Sequence, residues 1–263
     1  MFSLLLFACS GETPVPEAAP PPEPAAKLEP AQIEEAIEDT LAPSPNETRL
    51  AVERAGISLT FGTLIPDRNF KFDRVDEDRV ALRTGVLLSD LVLAVKEAEK
   101  PWVVDELQKL HDGLSAMGAG EGLLATVLDL KAGIDNDSMS RDDLLKSLDD
   151  IVGMGAGQGI GADGGGERMM QAGAWLAGTN MTARAILRSG QLDAADSLLR
   201  QKSVAEHFLA YVTEGEGQEK AGELGGLLEQ TLQNLIVVSD QETIGRQDIE
   251  GVRDQTQALI DLL

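Results

Sequence analysis

One long apolar segment decides the fold. The sequence from Asp76 to Glu99 reads DEDRVALRTGVLLSDLVLAVKEAE. Its first turn is acidic, as the positive end of the helix macrodipole favours, and apolar residues then recur every three or four positions. Between Val86 and Val95 the chain is apolar on nearly every face, which is typical of a helix surrounded by other helices. We therefore predict an α-helix over residues 76–99 at the centre of an all-α protein.

The composition of the chain supports the same fold class. The 263 residues are 43% apolar but only 3% aromatic, so the core must be built from Leu, Ala, Val, Ile and Met. These residues suit helix packing better than a β-sandwich. No alternating polar and apolar run is long enough to indicate a sheet. We expect residues 47–263 to form a multi-helix bundle or an array of helical hairpins packed at right angles.

Periodicity and capping residues place the other helices of this domain. They are predicted over residues 102–117, 121–132, 140–152, 167–189 and 193–213, followed by two C-terminal helices. Ser140 is the expected N-cap of the third of these helices. The last two helices carry apolar seams over residues 224–238 and 249–263. Their short connection at residues 239–242 indicates an antiparallel pair.

A glycine-rich stretch interrupts this pattern. Gly153 to Gly166 reads GMGAGQGIGADGGG, and Gly159, Gly161 and Gly164 match the G-x-G-x-x-G pattern of dinucleotide-binding loops. Such a loop follows a β-strand, whereas here a helix precedes it. We interpret residues 153–166 as a loop between helices. A phosphate-binding loop and a packed, partner-binding loop are the alternatives.

The N-terminus reads MFSLLLFACSG, a short apolar run that ends at the sole cysteine of the chain, Cys9. The residues Leu6-Phe7-Ala8-Cys9 resemble the lipobox of bacterial lipoprotein signal peptides. The resemblance implies that residues 1–8 are a signal peptide, that Cys9 becomes the N-terminus, and that its sulfur carries a lipid anchor. Signal peptides begin with basic residues, so we expect that region to lie upstream of Met1. The alternative is an apolar tail with an incidental cysteine.

The family resemblance also implies a location. In these lipoproteins an Asp directly after the cysteine favours the inner membrane. Ser10 stands there, which favours the outer membrane, with the protein facing the periplasm. Residues 9–46 are rich in Pro, Ala and Glu and contain every proline except Pro66 and Pro101, so we predict a lipidated, disordered linker. An acidic amphipathic helix over residues 30–41 is expected within it.

Charge and cysteine content narrow the functional classes. The net charge is −23, and such a surface repels nucleic-acid phosphates and anionic lipid headgroups. It favours either solubility alone or a basic protein partner. With one cysteine, and that one in the predicted lipid site, the helical domain can contain no disulfide or catalytic thiol.

One candidate pocket emerges from the helical domain. Asp90 interrupts the apolar run of the central helix, and a buried carboxylate needs a partner or must be neutral. Arg83 lies two turns earlier, so Arg83 or a distant residue is the expected partner. Small residues around Trp175 allow a close helix approach, and Asn180 follows on the same helix. These four side chains form a candidate ligand pocket, with a structural ion pair and plain helix packing as the alternatives.

No stronger constellation is present. Asp135 to Asp143 resembles the start of a calcium-binding loop, but Met139, Ser140 and Lys146 stand where that loop needs an oxygen ligand, glycine and glutamate. A helix-capping turn is the better interpretation, with a loose site at the two leading aspartates as the alternative. Neither histidine has the spacing of a metal motif. We expect no catalytic residue, metal or cofactor.

These patterns together predict a non-enzymatic, membrane-anchored helical module that binds an envelope protein or serves as a scaffold. The alternative is a periplasmic bundle that binds a small ligand or a metal. Segments Ala81–Asp90 and Gly173–Gly178 are similar to stretches of helical bacterial lipoproteins, a resemblance that implies no particular activity.

Overall fold

The computed structural model describes residues 42–57, 61–66, 68–72, 76–158, 165–214 and 222–263. Within these ranges the chain is all-α, as predicted, and contains no β-strand. Its helices are α1 (Pro45–Arg54), α2 (Glu77–Ala94), α3 (Lys100–Ala116), α4 (Glu121–Asp135), α5 (Arg141–Gln158), α6 (Gly165–Ser189), α7 (Ala195–Leu198), α8 (Lys202–Glu214), α9 (Gly222–Ser239) and α10 (Arg246–Leu262).

Helix α2 is the central element that the sequence predicts. The carboxylate of Asp76 caps it by accepting a hydrogen bond from the backbone amide of Arg79 at 3.1 Å. From Val80 to Ala94 all residues except Arg83 are buried. The helix ends five residues before the predicted boundary, and residues 95–98 form a turn that leads into α3.

Helices α2 and α6 cross at very short range because each has a glycine at the contact. A Cβ atom added to Gly85 would lie 1.9 Å from the carbonyl oxygen of Met170. One added to Gly173 would lie 2.2 Å from the carbonyl oxygen of Leu82. Only hydrogen fits at these two positions, so the glycines fix the spacing of the central helix pair.

The other helices pack around this pair. Helices α1 and α3 lie against α2, and α1 and α10 lie against α6. Helix α4 packs on α3, while α9 contacts both α8 and α10. The predicted seam of α10 is confirmed, because Ile249, Val252, Thr256, Leu259 and Leu263 are all buried. The core is therefore continuous from α1 to α10.

The domain begins slightly earlier than predicted. Pro45 starts α1, and Ser44 and Glu47 form a reciprocal capping box at its N-terminus. The side chains of Ser44 and Asn46 also donate hydrogen bonds to the carboxylate of Asp149 on α5, at 3.1 and 2.8 Å. The predicted linker thus includes the first residues of α1. Residues 9–41 of the linker, including the predicted helix over residues 30–41, lie outside the described residues.

The prediction of one continuous helix over residues 193–213 is wrong. A 3₁₀ turn, the short α7 and then α8 occupy this region. At the break Arg200 donates hydrogen bonds to the carbonyl oxygens of Ser239, Gln241 and Glu242, at 3.1, 2.7 and 3.3 Å. These contacts with the α9–α10 connection replace the helical geometry that local sequence favours.

Part of the glycine-rich stretch, which was predicted to be a loop, is helical. Helix α5 continues through residues 153–158, and α6 begins at Gly165. Residues 159–164, which carry the G-x-G-x-x-G match, lie outside the described residues. None of the described helices is long and apolar enough to cross a membrane.

Candidate functional site

Asp90 of α2 is buried, and its partner is Arg68, a distant residue as one of the two predicted alternatives has it, and not Arg83. The Nε atom of Arg68 donates to Oδ2 of Asp90 at 2.5 Å. The side chain of Asp90 is 2% exposed and that of Arg68 is 6% exposed. Arg68 lies between α1 and α2 and is in no helix itself, so a residue from outside the helices neutralises a carboxylate in the helical core.

This ion pair is incompletely hydrogen-bonded. Oδ1 of Asp90 and Nη2 of Arg68 are both buried, and neither has a partner among the described residues. A bidentate pair would have used both atoms. A buried polar atom without a partner costs about 1–3 kcal/mol. The pair therefore neutralises charge without satisfying all of its hydrogen-bonding groups.

Two more charged side chains influence Asp90. Burial raises the pKa of the Asp90 carboxyl above its ordinary value of 3.8, and the charges of Arg68 and Arg184 only partly oppose this rise. Burial likewise raises the pKa of Glu106 on α3, with Asp90 adding to the rise and Lys109 opposing it. Burial and the neighbouring Arg68 lower the pKa of Arg184 on α6. Charged side chains of α2, α3 and α6 thus influence one another's pKa, and we call them the charged region; Asp90 and Glu106 are buried in it and Arg184 is half-buried.

Asn180 lies next to this region and holds α6 against α10. Its amide nitrogen donates to the carbonyl oxygen of Arg253 at 2.8 Å and to the hydroxyl of Thr256 at 2.9 Å. Its amide oxygen accepts a hydrogen bond from Arg184 at 2.8 Å. Arg184 also donates to Gln257 of α10 at 2.7 Å. The hydrogen bonds of Asn180 and Arg184 therefore hold α6 against α10.

The other two members of the predicted pocket have separate partners. The indole nitrogen of Trp175 donates to Gln201 at 2.5 Å, and the indole ring lies 5.5 Å from the ring of Phe208. Arg83 donates to the carbonyl oxygen of Lys71, and its guanidinium lies 5.9 Å from the centre of the Phe70 ring. Arg184 donates a hydrogen bond to Asn180, and its charge acts on Asp90. Trp175 and Arg83 each contact a different part of the fold.

The structure adds Arg68, Glu106 and Arg184 to the charged region, none of which the sequence patterns single out. For Arg68 the available signal is indirect: a carboxylate in an apolar helix requires a cation, and Arg68 lies in the segment just before that helix. For Arg184 and Glu106 the helical pattern gives no such signal. Their burial depends on which helices become neighbours.

A separate cleft opens between α2, α6, α8 and α9. It is partly open to solvent, and its enclosed volume is about 20 Å³. The walls are apolar, and carboxylates lie near the start of α2; the lining residues are Asp76, Asp78, Met169, Tyr211, Val212, Leu224, Gly225 and Leu228. The guanidinium of Arg168 lies 5.6 Å from the Tyr211 ring centre, so a cation already occupies one face of that ring.

The calcium-like stretch forms a turn. Asn136 accepts a hydrogen bond from the amide of Ser138, Asp137 adopts a positive φ of 61°, and its carboxylate lies 2.9 Å from Lys100. The amide of Asp143 donates to the Ser140 hydroxyl, which confirms the predicted N-cap. The described residues contain no group of three or more His, Cys, Asp or Glu side chains placed to hold a metal ion.

The proposed lipidation site, Cys9, lies outside the described residues. No family model, curated protein or solved structure shows a significant match to the chain.

Proposed function

We propose that this chain is a bacterial envelope lipoprotein, anchored by lipid on Cys9, that acts as a non-enzymatic interaction or scaffold module. The lipobox-like Leu6–Cys9, the absence of any second cysteine and the proline-rich residues that follow support the anchor. Ser10 favours the outer membrane. A negatively charged surface favours a basic protein partner over nucleic acid.

The scaffold interpretation depends on one observation, the hydrogen-bond partners of the buried polar side chains. Asp90 pairs with Arg68, Asn180 bonds to α10, and Trp175 bonds to Gln201. Their principal polar contacts are with the chain itself and join separate elements of the fold. Side chains used in this way hold a fixed shape, which suits a surface that must be presented to a partner.

The anchor is tested by replacing the cysteine. The full chain, preceded by a basic n-region, is expressed in a diderm bacterium with labelled palmitate. The parent should incorporate label and sediment with membranes, whereas Cys9→Ala should do neither. Ser3→Ala, a change of similar size in the same segment, is the matched control. Membrane association of Cys9→Ala would refute lipid anchoring.

The partner is tested by crosslinking in intact cells followed by affinity capture and mass spectrometry. We expect one envelope protein with a basic surface to be enriched with the parent. This enrichment should be lost in a variant that keeps Cys9 but carries reversed charges on an exposed acidic helix face. Recovery of a stoichiometric small molecule without any protein would reject the scaffold function.

A second candidate function is small-ligand binding, which the cleft beside α2 specifically favours. Its walls are apolar and carboxylates lie at one end, a combination found in small-molecule sites. Native mass spectrometry of the chain purified from membranes would detect a bound compound. Leu228→Trp, which fills the cleft from its apolar wall, should abolish that binding, whereas Leu128→Trp on the exposed face of α4 should not.

A further inference from the structure

One side of helix α9 is exposed to solvent and carries no charge. Every other described helix of at least eight residues has a charged side chain at an exposed position. Between positions 224 and 239 of α9 the exposed residues are Gly226, Gln230, Gln233 and Val237. They recur at spacings of four, three and four, so they lie on one side of the helix. We call these residues the neutral face.

The neutral face combines a large apolar side chain with a glycine beside open space. Val237 is 62% exposed, more than any other large apolar side chain that the structure describes. A Cβ atom added to Gly226 would have no neighbouring atom within 4 Å. The one charge between positions 224 and 239 belongs to Glu229, which is half-buried and accepts a hydrogen bond from Gln233 at 2.9 Å.

The net charge of the chain decides what suits this face. A basic protein is attracted to the acidic helix faces elsewhere on the molecule, and the neutral face offers it no such attraction. A second copy of the chain, which also carries −23 charges, is repelled by those acidic faces. Two copies approach most easily where like charges do not meet. The neutral face meets this condition, so a second copy is the occupant that its charge favours.

The spacing of the neutral face also fits a two-fold axis. In a two-fold dimer, a residue that contacts a second position on the other copy is itself contacted from that position. Gly226 and Val237 lie equally far from the midpoint between residues 231 and 232, and so do Gln230 and Gln233. Two antiparallel α9 helices that meet at this midpoint place each Val237 against Gly226 of the second copy. They also place Gln230 against Gln233, and each side-chain amide can both donate and accept a hydrogen bond.

We propose that the chain forms a two-fold dimer through the neutral face, with the two α9 helices antiparallel. The apolar contact is Val237 of each copy on Gly226 of the other, and the glutamine amides pair at the centre. One helix face from each copy makes a small contact, and small contacts of this kind are weak and transient. The dimer requires neither the lipid anchor nor a basic partner, because neither of them uses the neutral face.

Sedimentation equilibrium of the full chain carrying Cys9→Ser tests the association, since this change removes both the lipid and the thiol. Between about 10 μM and about 1 mM the average mass should rise from that of a monomer towards that of a dimer. Val237→Glu should weaken dimerisation about 100-fold, about tenfold for each of the two carboxylates that the dimer would bury. Leu128→Glu on the exposed face of α4 is the matched control and should leave dimerisation unchanged. A monomer at every concentration, or equal weakening by both variants, would overturn the proposal.

Salt distinguishes this dimer from an ionic association. Raising sodium chloride from about 0.05 M to about 0.5 M screens the repulsion between two acidic copies. Dimerisation through the neutral face should therefore become stronger. Weaker dimerisation in high salt would mean that charged groups make the contact, and it would exclude the neutral face.

Disulfide crosslinking tests the antiparallel arrangement. Gly226→Cys and Val237→Cys are each introduced into the Cys9→Ser chain. In the proposed dimer the two copies of either new cysteine lie about 16 Å apart, because eleven residues separate the two positions and a helix rises about 1.5 Å per residue. A disulfide requires Cα atoms within about 7 Å of each other.

Mild oxidation should therefore crosslink an equimolar mixture of the two variants and neither variant alone, with the mixed dimer identified by mass spectrometry. Crosslinking of one variant alone, as efficient as in the mixture, would contradict the antiparallel arrangement. No crosslinking in the mixture at concentrations where the parent dimerises would exclude the neutral face as the contact.

Discussion

The crossing of α2 and α6 gives the sharpest test of the fold. Gly85→Ala adds one methyl group at the point where the two backbones meet. That Cβ would lie 1.9 Å from the carbonyl oxygen of Met170 and 2.7 Å from the amide nitrogen of Ala174. Both are backbone atoms, so no change of rotamer can relieve the clash. The helices must separate locally until the distance reaches the ordinary contact range, which begins at 3.4 Å.

The cost can be bounded from this geometry. Overpacking a core typically costs about 1–3 kcal/mol, and a forced shift of about 1.5 Å between two backbones belongs at the upper end of that range. Alanine recovers up to about 1 kcal/mol through its higher helix propensity. We therefore expect Gly85→Ala to lower the free energy of unfolding by about 2 kcal/mol. Urea unfolding followed by circular dichroism at 222 nm measures this change at constant m-value.

Gly251→Ala is the matched control, because it makes the same substitution within helix α10, where no atom lies within 4 Å of the new Cβ. It should raise stability by about 1 kcal/mol through propensity alone. Gly173→Ala should resemble Gly85→Ala, and the double variant should cost less than the sum, since one separation of the helices accommodates both methyl groups. If Gly85→Ala stabilises the protein as Gly251→Ala does, the close crossing is refuted.

Three further predictions concern the buried polar groups. In urea unfolding, Asp90→Leu should cost about 3 kcal/mol by leaving Arg68 buried without a counterion, whereas Arg68→Met combined with Asp90→Leu should stay within about 1 kcal/mol of the parent; additive effects would contradict the pairing. Asn180→Ala should cost about 2 kcal/mol by removing the hydrogen bonds to Thr256 and Arg184, and a loss under 0.5 kcal/mol, the usual size of a surface effect, would contradict that role. Burial raises the pKa of Asp90 in the folded chain, so the proton bound to Asp90 stabilises the fold. This stabilisation is complete below the ordinary pKa of 3.8 and is lost as the pH rises through the elevated pKa. Asp90→Asn should remove that part of the pH dependence, and unfolding curves of unchanged pH dependence would contradict the shift.

The helices that sequence predicts best are those whose signals are local. Helix α2 carries its acidic first turn and its apolar faces within one stretch, and the structure confirms both. The Ser140 cap of α5 is equally local. The Ser44–Glu47 capping box was present in the sequence too, but the proline-rich composition around it led to a boundary two residues too late.

Some of the features that sequence did not predict depend on distant partners. Arg83 is near Asp90 along the helix, yet Arg68 pairs with Asp90 across an irregular segment. Helix α5 continues through three glycines at positions 153–157, although each glycine disfavours a helix by about 1 kcal/mol. Lipidation at Cys9, by contrast, stays a prediction.

The contacts of Arg200 have a consequence for synthesis. A chain emerges from the ribosome N-terminus first, and the carbonyl groups that Arg200 bonds lie about 40 residues downstream. The nascent chain therefore lacks them when α7 and α8 have just emerged. We expect that stretch to form one uninterrupted helix at first, as its local pattern favours. The helix should break at Arg200 only after α9 and α10 have been translated.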